Sequence, residues 1–196
     1  MAVPATVVAG IWLTARAPAG VDRLGAATFA CGALLMFLVS SIVHLRRWPV
    51  PVFEVLFRFD HAAIFLLIAT SATPVGISVL TGRSAAFLLW AVWIGAGIGI
   101  CVRLLPFHPP KGLMNSLFLG LGWVPIMVAP DLVRALEPVE IILVVAQGVL
   151  YSGGALMLGA QWPDPSPRYF GYHEIWHTLV TAAVVVHFVL VAMVVV

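Results

Sequence analysis

Near its C-terminal end the chain reads Tyr172-His173-Glu174-Ile175-Trp176-His177, with two imidazoles four residues apart. On a helix they share one face, about 6 Å apart along the axis, so both rings can turn toward one ion. Histidine is the commonest protein ligand for transition metals. Beyond them the chain is almost wholly apolar to Val196, broken by Thr178, Thr181 and His187. Ionisable rings entering an apolar span mark a functional site by default. The chemistry they suggest is metal binding, and the question is which other residues share their depth.

Two further groups qualify. Ser40-Ser41-Ile42-Val43-His44 closes an earlier apolar run, with Ser40 and His44 on one helical face. Asp60-His61 opens the next run. One ring from the first and two from His173 and His177 give three nitrogen ligands, and water or a substrate oxygen completes four-coordination. That is the pattern of a catalytic zinc site with an open position. Asp60 is either a fourth ligand or the group that orients the water and takes its proton; the second role is preferred, because zinc lowers that water's pKa toward neutrality. Ser40 can steady the His44 ring, donate to Asp60 or polarise a substrate carbonyl, or it can simply bond the carbonyl one turn back. His61 points to another face than Asp60. His108 lies in a proline-rich connection and reads as solvated, and His187 reads as a neutral interhelical hydrogen-bonding group. The literal H-E-x-x-H pattern of His173 to His177 matches zinc proteases, whose Glu is the general base. No soluble protease domain surrounds it, and Glu174 lies 100° round the helix from His173, so proteolysis ranks low.

The elements that must position these residues are membrane spans. Of the 196 residues 62% are hydrophobic and 9% charged, with a mean hydropathy of +1.10. Soluble globules carry about 25% charged residues. The net charge of +2, with ten basic residues lying singly or in one pair, gives no argument for a nucleic-acid partner, and none is expected. Cys31 and Cys101 sit in apolar runs and read as small buried hydrophobes, not as a disulfide. The first segment lacks a basic n-region and a cleavage site and reads as retained.

Spans need roughly 20 mainly apolar residues. The expected set is 3–15, 24–45, 59–80, 85–105, 113–128, 136–160 and 170–196, in one all-α domain over 1–196. Arg46 to Arg58 form a connection, Thr73-Pro74 bends or ends the third span, and Pro106 and Pro109-Pro110 end the fourth. Numerous glycines allow close helix approach, and no internal repeat suggests alternating access. With the N-terminus cytoplasmic, the inner connections carry Arg46, Arg47, Arg58, Arg103, Lys111 and Arg168, against Arg16, Arg23, Arg83 and Arg134 outside, as the positive-inside bias requires. His44, Asp60, His173 and His177 then all lie at the cytoplasmic ends of their helices.

Together these pieces resemble the bacterial hemolysin III-like membrane proteins, relatives of the progestin and adipoQ receptors and, more distantly, of alkaline ceramidases. The resemblance rests on Ser40 to His44, Asp60 to Ala69 with Thr73-Pro74, Gly120-Leu121-Gly122-Trp123, Tyr151 with Gly153-Gly154, and His173 to His177, in order from the second span onward. It implies a seven-helix bundle with Zn2+ near the cytoplasmic face, held by His44, His173 and His177. Asp60 would stand beside the bound water and Ser40 one turn before the first ligand. It further implies hydrolysis of lipid amides, a role in membrane lipid homeostasis, and membrane lipids as partners in a bacterial plasma membrane. The family's acidic, Asn- and His-containing lead into the first helix has no counterpart here, since no acidic residue precedes Asp22. The expected function is that of a zinc-dependent hydrolase of ceramide-like lipid amides. A receptor-like or regulatory protein with structural zinc is the alternative, and a pore-forming protein ranks third.

Overall fold

The computed structural model describes residues 2–105, 110 and 112–196; His108, Lys111 and the prolines expected to end the fourth span, Pro106 and Pro109, lie outside them. Among the described residues the chain folds into eight α-helices: α1 (Ala2–Arg16), α2 (Val21–His44), α3 (Val50–Ser78), α4 (Gly82–Leu104), α5 (Leu113–Gly122), α6 (Ala129–Ala135), α7 (Pro138–Ala160) and α8 (Tyr172–Val195). A 3-10 turn, Val124–Val128, joins α5 to α6. Apolar runs of this length favour helices because a helix satisfies its own backbone polar groups where water is absent. Among the described residues, five stretches are long and apolar enough to cross a membrane: α2, α4, Leu113–Ala135, α7 and α8.

Helix ends follow local chemistry. Pro138 occupies the first turn of α7, and the Glu137 backbone N–H donates to Glu140 Oε2 at 2.8 Å, which satisfies an amide the helix leaves free. Gln161 closes α7 with a left-handed φ of 53°, the usual helix-ending conformation. At α8 the Gly171 N–H donates to Glu174 Oε2 at 2.9 Å.

Several expectations are corrected. Residues 50–58 are not a connection but the first turns of α3, which is 29 residues long. Prolines at 49 and 51 flank its start, where a missing amide costs nothing. Pro74 lies inside that helix and does not end it. The stretch expected over 113–128 runs on to Ala135, divided by Pro125 and Pro130 into α5, the 3-10 turn and α6. Cys31 and Cys101 are free, but exposed on the bundle surface and not buried as expected.

α3 is the central element, packing on α2, α4, α5 and α8. Ala63 and Leu67 belong to a core shared with α1, α2, α7 and α8. Phe65, Ala69 and Val75 belong to a second core with α4, α5 and α6. Close approaches set both faces. Gly32 of α2 lies against Thr70, and Gly99 of α4 against the Phe65 ring. Antiparallel packing of α7 on α8, where Gly154 meets the Trp176 ring, completes the bundle. The end of α2, the start of α3 and the start of α8 thereby come together.

Candidate metal centre

His44 is the last residue of α2, and His173 and His177 occupy the first two turns of α8. One ligand atom from each ring lies within 4.8 Å of the other two. The ring centroids stand 5.2 Å (His44–His173), 5.0 Å (His44–His177) and 4.6 Å (His173–His177) apart, each pair edge-on. The His173 and His177 Nε2 atoms approach to 3.0 Å. Two nitrogens on a tetrahedral zinc at about 2.05 Å would be about 3.3 Å apart, so the donor set and its spacing fit that ion. Without an ion, one ring donates to the other. His44 is exposed and the other two half-buried, which leaves the cluster open on one side.

Asp60, 8% exposed, is the buried carboxylate nearest this chemistry. Ser40 and His44 both lie beside it. It stands outside the group of three that can share an ion. Its position follows from α3, which places Asp60 one turn after Leu56 and carries the helix on past it as Ala62-Ala63 pack inward.

The remaining sequence candidates are placed elsewhere. His61 Nδ1 bonds the Phe57 carbonyl at 2.8 Å, and its ring lies 4.4 Å from Phe57 and 5.8 Å from Phe118. Glu174 is exposed and caps its own helix through Gly171. Its place in H-E-x-x-H is therefore that of a capping acid at the third helical position. His187 is 4% exposed, with Nε2 2.9 Å from the Ser71 carbonyl and Nδ1 bonded to the Gln147 side chain. His187 Nε2 donates to the Ser71 carbonyl and Nδ1 meets the Gln147 side-chain amide, so the ring ties α3, α7 and α8 together. Sequence reasoning missed the partner, although Gln147 was a lone amide in an apolar run, which was signal enough to ask what it bonds. It also counted Arg103 only among the basic residues of an inner connection, yet that side chain is 9% exposed.

Long apolar helices and a histidine triad at one end of the bundle define a polytopic membrane protein with a candidate metal site. The chain belongs to the haemolysin-III-related family, whose model matches residues 1–188. The match therefore includes α1, ahead of the second span where the motif resemblance began. A hemolysin-3 homolog of Bacillus subtilis (strain 168) is 28% identical over 162 residues, 81% of this chain and 71% of its own. Hemolysin-3 of Bacillus cereus is 28% identical over 152 residues, 78% of this chain and 66% of its own. The human monocyte to macrophage differentiation factor is 23% identical over 171 residues, 85% of this chain and 68% of its own.

Proposed function

We propose that the chain is a zinc-dependent hydrolase acting on amide bonds of membrane lipids of the ceramide type, and through them on membrane lipid composition. The observation that carries this reading is the convergence of His44, His173 and His177 from two helices, with the Asp60 carboxylate beside them. His44, His173 and His177 would hold Zn2+. Bound there, the ion would supply a Lewis acid for the amide carbonyl and would acidify a water molecule.

Asp60 accepts the proton as the water oxygen adds to the carbonyl carbon. The C–N bond then breaks, and the same proton is passed from Asp60 to the departing nitrogen, giving a carboxylic acid and an amine. Ser40 donates to Asp60 or to the carbonyl oxygen. Apolar helices around the cluster limit water and strengthen these polar contacts. The reading takes the chain as seven spans in a bacterial plasma membrane. The N-terminus is cytoplasmic, because Arg46, Arg47, Arg58, Arg103 and Arg168 outnumber Arg16, Arg23, Arg83 and Arg134 at the opposite end. The wider kinship with progestin and adipoQ receptors and with alkaline ceramidases belongs to this proposal as well.

Purified protein, wild type against His173→Ala and Asp60→Asn, incubated with ceramide and a phospholipid panel tests it. Asp60→Asn is expected to keep its metal and lose about 10²–10⁴ in turnover, the usual contribution of a positioned general base. Equal turnover by all three proteins would remove the mechanism. A second reading, a regulatory protein with structural zinc, is favoured by the differentiation-factor name of the human relative. It predicts stoichiometric zinc with no turnover of any lipid in the panel. Pore formation, suggested by the name of the Bacillus cereus relative, predicts ion flux from protein-loaded liposomes.

A further inference from the structure

Beside the histidine cluster lies a group of cations for which the described residues supply no counter-ion. Arg103, in the last turn of α4, is 9% exposed. Its Nε has no hydrogen-bond partner among the described residues. Its guanidinium carbon stands 5.5 Å above the Phe57 ring. Arg58 of α3 is close enough for its charge to bear on Arg103, and its Nη1 donates to the Leu105 carbonyl at 2.9 Å. His61 lies between, within reach of the Arg103 charge on one side and of His173 on the other. Among the described residues the one ion pair joins Arg134 to Asp131 at 3.3 Å, so no described carboxylate answers either arginine.

Burying a guanidinium without a partner, next to a second one, is unfavourable unless an anion joins them. A snorkelling arginine would hold its head out in the water layer; this one is folded back over an aromatic ring with its Nε covered. Guanidinium donors form a planar fork that matches the oxygens of a phosphate, and two of them suit its charge. The group lies at the end of α4 and in the opening turns of α3, near the start of α8, where a bilayer presents its phosphates, and Phe57 and Phe118 give it an apolar wall.

We propose that Arg103 and Arg58, with His61 alongside, bind the phosphate of an anionic phospholipid headgroup at the edge of the histidine cluster. The site requires no turnover, so it stands whether or not the cluster hydrolyses anything. If both hold, a lipid seated by its phosphate lies next to the His173 side of the cluster.

Full-length protein in detergent, titrated with phosphatidylglycerol or phosphatidylcholine and read by native mass spectrometry, tests the site. The wild type is expected to hold phosphatidylglycerol roughly tenfold more tightly, a preference in keeping with charge-assisted bonds to two guanidinium groups. Arg103→Gln and, independently, Arg58→Gln should abolish most of that preference. Arg103→Lys should keep part of it, and Arg134→Gln, exposed at the opposite end, all of it. His173→Ala should keep the preference too, which separates this site from the hydrolase reading. An undiminished preference in both glutamine variants would overturn the proposal. Displacement of the lipid by millimolar inorganic phosphate would overturn the lipid assignment in favour of soluble phosphate. Metal content equal to wild type certifies that each arginine variant is folded, and Arg58→Gln carries the test if Arg103→Gln fails to fold.

Discussion

Adding one methyl group at Gly32 tests the contact that brings α2 onto α3. A Cβ built there would stand 2.7 Å from Thr70 Cβ and 3.0 Å from its Cγ2. Thr70 Cβ is fixed to its backbone, so no rotation of the side chain relieves the overlap and the helices must part. Overpacking of this kind costs about 1–3 kcal/mol, and the rigid neighbour argues for the upper half. Replacing glycine within a helix returns about 0.5–1 kcal/mol. The expected net loss for Gly32→Ala is about 1–2.5 kcal/mol, the difference between those two magnitudes. Gly97→Ala is the control, because a Cβ at position 97 meets nothing within 4 Å; it should be neutral or slightly stabilising. Thr70→Ala in the Gly32→Ala background should recover only part of the loss, since Cβ itself remains. Reversible unfolding of the purified proteins in mixed micelles measures all four. Gly32→Ala matching Gly97→Ala in stability would refute the reasoning.

Gln147→Leu removes the side-chain partner of His187 Nδ1 in the buried interior and should cost about 1–3 kcal/mol, the penalty of an unsatisfied buried group. Metal content should not change, because His187 lies ten residues, about 15 Å, beyond His177; loss of metal would contradict the separation. Glu174→Ala should lower stability by about 1 kcal/mol through the lost helix cap and keep both metal and any lipid turnover. Abolished turnover with metal retained would instead make Glu174 the base and revive the protease-like reading of H-E-x-x-H.

Residue spacing carried the local half of the site. His173 and His177 sit on one face because four residues make just over one helical turn, and nothing outside α8 is needed for that. That His44 joins them depends on α2 and α8 meeting at the same end, which the order of spans and the family motifs suggested and helix packing supplies. The start of α3 was misread because Pro51, Glu54 and Arg58 look like a connection when the apolar stretch is sought alone; a helix emerging from a membrane is polar in its exposed turns. Two prolines also hid how far the Leu113–Ala135 stretch extends. The burial of Arg103 and the bond from Gln147 to His187 depend on which helix faces come into contact, and uniformly apolar helices give little periodicity from which to read a buried face.

Metal analysis coupled to X-ray absorption tests most directly the claim that α2 and α8 share one ion. The account predicts one zinc per chain, with about three nitrogen scatterers at about 2.0–2.1 Å, and its loss in His44→Ala as well as in His173→Ala and His177→Ala. Protein without zinc, or zinc held undiminished in His44→Ala, would contradict it.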